Sequence, residues 1–259
     1  MKIAVLVSVG RHPVSGVARY SRNDAAALTL ALSLARTHGA TLDVLHAGDP
    51  SNAALQEYLA LGAGSVEVLD MPPDADPAPR LAARLRGYEL VLTGTRAEGG
   101  FDSGMLPYRV AHALAVPLVG AAVDLALRDG CAQVRQFMPK GLRRRVEVRL
   151  PALIAVHPLA NAATSYAYAR LREGTIQCVA APAVDSQHST APDQTAWTIR
   201  PVTAKPVRLA AAEKRSGHAR MLSATTTESR GGSVVIEGSS VEKAQVILAY
   251  LREHQLVDY

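Results

Sequence analysis

Short aliphatic runs alternate with stretches of helical spacing from Lys2 to Leu114, and no other feature constrains the fold as much. Lys2 to Val9, Thr41 to His46, Val66 to Leu69 and Leu90 to Leu92 are rich in Val, Leu, Ile and Ala, as strands buried on both faces are. Between them, Asp24 to about Thr37 puts Leu28, Ala31, Leu32 and Ala35 on one helical face. Ser51 is a candidate N-cap for a helix reaching about Leu61, and Gly62-Ala-Gly64 ends it. Leu81 to Leu85 belongs to a short helix that Gly87 stops. Such a series predicts a parallel sheet with helices on both faces, wound by right-handed crossovers. Aromatic residues are only 4%, so Ala, Val and Leu must fill the core.

The second half changes character. Ala121 to Leu127, Ala132 to Phe137, Val146 to Leu150 and Leu153 to His157 read as strands, with turns at Asp129-Gly130 and Pro139-Lys-Gly141. They suit antiparallel additions and one strand returning to the sheet, with Pro151 at a strand start. Asn161 to Arg172 suggests a helical piece. From Val179 to about Arg230 the pattern loses periodicity and gathers Pro, Ser and Thr, which reads as an extended arm lying on a partner. A last helix is expected from Ser240, as N-cap, to near His254. The expected organisation is residues 1–178 as an α/β domain, 179–230 as the arm and 231–259 as a C-terminal segment and helix.

The formal net charge is +5, only mildly basic. Nucleic-acid binding would want stacking aromatics or a reading motif beside the Lys and Arg, and neither is present. The sharpest basic run, Lys140-Gly-Leu-Arg-Arg-Arg145, reads as a solvated hairpin turn. Cys131 and Cys178 are far apart and lack metal spacing, so a reducing cytoplasm is expected. Met1 to Ser8 is a short apolar run that reads as a strand and not a signal peptide. No segment approaches the roughly 18 apolar residues of a membrane span.

The stretch from Tyr88 to Leu118 carries the clearest chemistry. A buried strand ends in a glycine-rich loop, and Asp102-Ser103 opens a segment with Leu106, Val110 and Leu114 at helical spacing. Glycines admit close backbone approach, and the helix start turns unpaired N–H groups and a positive dipole end to the same place. A phosphate fits there, with Ser103 either capping the helix or donating its hydroxyl. In parallel sheets ligands bind beyond the carboxyl ends of the strands, where the loops after Val7, His46 and Thr93 would meet.

No catalytic constellation emerges. The eight His residues are scattered, without H-x-x-x-H spacing, and no G-x-S-x-G elbow, Walker lysine or N-terminal G-x-G-x-x-G is present. Neither catalytic nor metal-ligating residues are assigned. One competing reading starts from Gly99-Gly-Phe-Asp-Ser103, which resembles the pyrophosphate loop of ATP pyrophosphatases and would imply an ATP-using enzyme or a free-standing adenine-nucleotide-binding protein. It follows the fourth strand rather than the first, and Glu98 stands where a Ser leads that loop, an acidic group repulsive to phosphate.

An ordered set of motifs resembles the beta subunit of electron transfer flavoproteins. Met1-Lys-Ile-Ala-Val-Leu-Val is similar to the family's first strand, and Asn23-Asp24 to its Pro-Phe-Asp-Glu helix start. Ala60-Leu-Gly-Ala-Gly64 resembles its Ala-Met-Gly-Ala-Asp. Leu90 to Gly94, Arg96-Ala-Glu98 and Asp102-Ser-Gly104 resemble its Gly-Arg-Gln-Ala-x-Asp-Gly-Asp-Thr-Gly loop, and Val146 to Ala152 its Leu-Pro-Ala strand. Gly232 to Leu251 fits the C-terminal tail and helix.

The resemblance implies an α/β fold with a parallel-core sheet flanked by helices on both faces, adenine nucleotide alpha hydrolase-like, with antiparallel additions and a C-terminal arm wrapping an alpha subunit. It implies a cytoplasmic heterodimer carrying electrons from flavin dehydrogenases to a quinone-linked or other acceptor. FAD would be held mainly by the alpha subunit and AMP by this one. The phosphate would lie against Asp102, Ser103, Gly104 and Met105, and the adenosine against Ser8, Val9, Ala47 and Gly48, with Arg96 and Ala97 nearby and Asp24 closing the first loop. This chain also departs from the family. The loop from Ser8 to Arg22 is shorter and lacks a Lys-Arg pair, Lys140-Gly-Leu replaces an Asp-Gly-Gly turn, and Arg144 replaces a Glu. The recognition loop, often Tyr-Ala-Thr-Leu-Pro, reads Tyr166-Ala-Tyr-Ala-Arg170, with Ala169 where the leucine anchor stands.

Overall fold

The computed structural model describes residues 1–72, 75–98, 103–180, 217, 218, 221, 238–253, 256 and 257. Its first compact unit, Met1–Ala196, is built on a nine-stranded sheet; Trp197–Tyr259 forms a second unit. The strands are β1 (Lys2–Leu6), β4 (Thr41–Gly48), β5 (Ser65–Asp70), β6 (Leu90–Gly94), β7 (Leu118–Arg128), β8 (Cys131–Phe137), β9 (Arg143–Arg149), β10 (Ala152–Val156) and β11 (Thr175–Ala180), in the order β11-β5-β4-β1-β6-β10-β7-β8-β9. From β11 through β7 every pairing is parallel; β8 and β9 add antiparallel. This is the expected α/β sheet, with β10 as the returning strand between β6 and β7.

Alternation along β1 explains the two helical layers. Ile3 and Val5, with Val7 just beyond, pack with Ala27, Leu28 and Ala31 of α1 (Arg22–His38) and Leu55 and Tyr58 of α2 (Leu55–Ala60). Ala4 and Leu6 point the other way, to Leu81 of α3 (Pro77–Arg84) and Val110 of α4 (Leu106–Leu114). With both faces covered, continuous aliphatic runs are what the strands need. Gly39 ends α1 in the left-handed region (φ 58°), its amide bonded to the Ala35 carbonyl.

Several local expectations shift. The loop from Ser8 to Arg22 holds a small antiparallel hairpin, β2 (Val9–Arg11) with β3 (Ala18–Tyr20). α1 begins two residues before Asp24, with Ser21 as its cap. Ser51 does not cap α2, because its amide and hydroxyl both donate to Asp49, at 2.8 and 2.7 Å, leaving the helix to start at Leu55. Between Asn161 and Arg172 only α5 (Arg170–Glu173) is regular helix. Val179 and Ala180 belong to β11, which adds to the free edge of β5; most of the expected arm lies outside the described residues. In the second unit, α6 (Ser240–Glu253) is capped by Ser239 and not by Ser240: Ser239 Oγ accepts the Glu242 amide at 3.3 Å, and the Glu242 carboxylate accepts the Ser239 amide at 2.7 Å. That reciprocal pair is a capping box.

Candidate functional site at the carboxyl edge of the sheet

β4 and β6 are the two neighbours of β1, so the loops after these three strands leave adjacent strand ends. α1 starts directly in front of them because Ser21, extended at φ −79° and ψ 126°, caps it and accepts the Asp24 amide at 3.3 Å. The Ser21–Asp24 spacing is that of a capping box, yet the Asp24 carboxylate does not turn back to Ser21. It accepts three hydrogen bonds from two strand ends: the Ser8 amide at 2.8 Å, the Ser8 hydroxyl at 2.6 Å and the Gly94 amide at 3.0 Å. The Ser21 amide donates instead to the Tyr58 hydroxyl at 2.9 Å, which donates to the Ser8 carbonyl at 2.6 Å.

Asp24 is 3% exposed. Burial pushes its carboxyl up to about 7, against the pull of the hydrogen bonds it accepts. Burial and the nearby Asp24, Glu98 and Glu57 carboxylates raise the Tyr58 phenol well above its ordinary range, so it keeps its proton and donates. Gly94 leaves no room beside this carboxylate: a Cβ there would run into Asp24 Oδ1 and stand 2.7 Å from Asn23 Cβ.

The loop after β6 is tied to the same group. The Glu98 amide donates to Ser8 Oγ at 3.0 Å, while its carboxylate accepts the Ser21 hydroxyl at 3.3 Å and pairs with Arg19 of β3 at 2.9 Å. Gly10 of β2 packs against the Glu98 side chain, where any Cβ would overlap Oε2. The acid thus faces the hairpin, with its charge met by Arg19. At the end of β4, His46 Nδ1 lies 2.9 Å from the Val7 carbonyl, so that nitrogen is the protonated one. Its ring backs Gly48, and burial lowers its pKa, favouring the neutral form.

Ser103 heads a turn and does not cap α4. Its hydroxyl accepts the Met105 amide at 3.3 Å, and the helix begins at Leu106 with Met105 in a cap position that makes no side-chain bond. Gly104, at φ 71°, backs onto Thr95 and Arg96, so Ser103 to Met105 run beside the first residues of their own loop. The amides of Leu106 and Tyr108, in the first turn, have no acceptor within the helix. The helix's positive end and the Ser103 hydroxyl leave this corner suited to an anion.

Of the expected nucleotide residues, Ser8, Val9 and Asp24 thus fall in one tied group around the end of β1, with Ser8 and Asp24 buried and engaged with each other. Ala47 and Gly48 end β4 on one side of it, half-buried. Arg96, Ala97, Ser103, Gly104 and Met105 follow β6 on the other side, with Arg96, Ser103 and Met105 exposed. Asp102 lies outside the described residues, as do Gly99 to Phe101. Tyr58, Ser21, Arg19 and the Glu98 side chain complete the network without having been expected. Only Ser21 left a local signal, its spacing from Asp24.

The electron transfer flavoprotein domain pattern matches residues 15–184, which takes in this corner apart from β1, Ser8 and the first strand of the hairpin. The chain belongs to the electron transfer flavoprotein family. The electron transfer flavoprotein subunit beta of Chromohalobacter salexigens is 36% identical to this family member over 265 aligned positions, which cover 99% of this chain and 96% of that one. Among the described residues of this electron transfer flavoprotein, no helix is long and apolar enough to cross a membrane.

Proposed function

We propose that this chain is the beta subunit of a two-subunit electron transfer flavoprotein. It binds AMP at the carboxyl edge of its sheet and helps pass electrons from flavin dehydrogenases to a quinone-linked or other acceptor, through FAD held mainly by a companion alpha subunit. The observation that carries this reading is the convergence of three loops at adjacent strand ends, two of them pinned by one buried carboxylate, beside the start of α4, whose first amides have no acceptor within the helix. Family membership and the name of its relative support the two-subunit role.

The donors fit a nucleotide monophosphate. The Ser103 hydroxyl and the first amides of α4 suit the phosphate; the strand ends at Ser8-Val9 and Ala47-Gly48 suit the adenosine. FAD supplies the redox chemistry when bound. This chain's residues hold and orient: the Ser8 hydroxyl is buried between Asp24, to which it donates, and the Glu98 amide, which it accepts, and so ties loops together. In the same reading the protein is cytoplasmic, and residues 179–230 wrap the alpha subunit as an extended arm.

Replacing Ser103 with Asp and Gly104 with Glu tests the placement. The two-subunit complex, denatured and analysed by mass spectrometry, is expected to release at least about tenfold less AMP than wild type, because two carboxylates then face the phosphate. Wild-type nucleotide content in the double variant would remove AMP from this corner.

A further inference from the structure

The far end of the sheet carries an arrangement that nucleotide binding does not use. Strands β7, β8 and β9 pair antiparallel, and their register puts Ala126, Arg128, Gln133, Arg135, Arg143, Arg145, Glu147 and Arg149 in alternate, exposed positions. The intervening residues Leu125, Ala132 and Val134 are buried on the core side. Arg128, Arg135, Arg143, Arg145 and Arg149 therefore share one uncovered face, and none forms an ion pair among the described residues. Arg135 and Arg145 stand directly opposite each other in the ladder. Like charges in that position are destabilising. Asp124 is the register partner of Arg135, but its carboxylate accepts its neighbour's amide, from Leu125, at 3.0 Å.

Keeping an edge strand from pairing with other chains asks only for charge on that edge. Here Arg128 and Arg135 lie on inner strands, so edge protection does not account for them. A cavity of about 270 Å³ opens between Arg135, Arg143, Asp124 and Asn161, with exposed Leu159 on its rim. Arg143 is held over the Phe137 ring at 4.6 Å, and the same ring stacks with His157 at 4.3 Å. One guanidinium is thereby fixed in place before anything binds.

We propose that this arginine face is a docking surface for an acidic partner protein that associates transiently, its carboxylates entering between Arg135, Arg143 and Arg145. Guanidinium forks match carboxylates in pairs and are weakly hydrated. A permanent subunit contact would carry an apolar, charge-depleted centre, which this face lacks. Exposed unpaired charge instead speeds encounter and lets the partner leave. Nucleic acid fits less well, because Phe137 is already engaged by Arg143 and His157, and Asp124 and Glu147 interrupt the positive field.

The test uses the full chain with its companion subunit, poly-L-glutamate as the probe, and the double variant Arg135→Gln with Arg145→Gln. Relief of the opposed charges is expected to raise Tm by about 1–3 °C. Polyglutamate affinity at low salt is expected to fall at least about tenfold, and its dependence on salt to flatten. The companion is expected to co-purify at wild-type yield with its nucleotide content unchanged, which keeps this outcome separate from the fate of the AMP site. Unchanged polyglutamate affinity would overturn the proposal. So would loss of the companion, which would make the face a permanent interface. A larger variant-dependent loss for polyuridylate or for phosphatidylglycerol vesicles than for polyglutamate would overturn it too, by assigning the face to nucleic acid or lipid.

Discussion

The two ends of the sheet handle charge in opposite ways. Around β1 and β6 a buried carboxylate is met by donors on every side, and among the described residues no buried side-chain polar atom lacks a partner. On β7 to β9 five exposed guanidiniums form no ion pair among the described residues. A satisfied buried network fixes geometry and resists change, because each bond removed strands a polar group away from water. Exposed unpaired charge fixes nothing locally and is free to meet something else. One end is built to position, the other to be met.

The contrast breaks most directly at Asp24. Asp24→Ala leaves the buried Ser8 and Gly94 amides and the Ser8 hydroxyl without their acceptor, and is expected to cost about 3 kcal/mol of stability, read by urea unfolding. A cost under about 1 kcal/mol would mean that water replaces the carboxylate and that the two strand ends are not truly locked.

Next in size is a pH effect. Since the Asp24 carboxyl is raised from its ordinary 3.8 to about 7, the folded protein holds a proton there that the unfolded chain has lost. Its contribution to stability is fully present below about pH 4 and is lost as the pH rises to about 7. His46, lowered by burial, works the other way, losing stability as the pH falls below about 6.5. Stability measured from pH 4 to 8 in wild type and Asp24→Asn separates the two. The variant is expected to lose the decline toward neutral pH and keep the His46 rise; identical profiles would show that the hydrogen bonds to Asp24 outweigh its burial.

The smallest effect belongs to the one ion pair of the network that reaches solvent. The Arg19 side chain is 30% exposed, so Arg19→Gln is expected to cost no more than about 1 kcal/mol in the same unfolding assay. A loss as large as that of Asp24→Ala would place the hairpin inside the locked group and sharpen where its boundary runs.

The sheet was legible in the sequence because aliphatic runs such as Leu90 to Leu92 have one physical use, burial between two helical layers. β11 was not, because Thr-Ile-Gln-Cys-Val-Ala is mostly exposed at the sheet edge and carries little hydrophobic pattern. Ser51 and Ser240 misled for a shared reason: cap preference names the residue type, while the neighbouring Asp49 or Ser239 decides which hydroxyl is used. The corner itself was legible as a place, from the glycine loop and the strand ends. Its wiring was not, since Asp24 reaches 16 residues back to Ser8 and 70 forward to Gly94, and Glu98 reaches 90 back to Ser8. No local spacing encodes partners that only the packed sheet brings together.

β11 and β9 close opposite flanks of the sheet. Eight interstrand steps at about 4.8 Å separate them, roughly 38 Å in all. β11 thus ends at Ala180 on one flank while the guanidinium row occupies the other. A body seated on the β11 flank and a visitor drawn to the row need not compete for room, so one small subunit has the width to serve both at once.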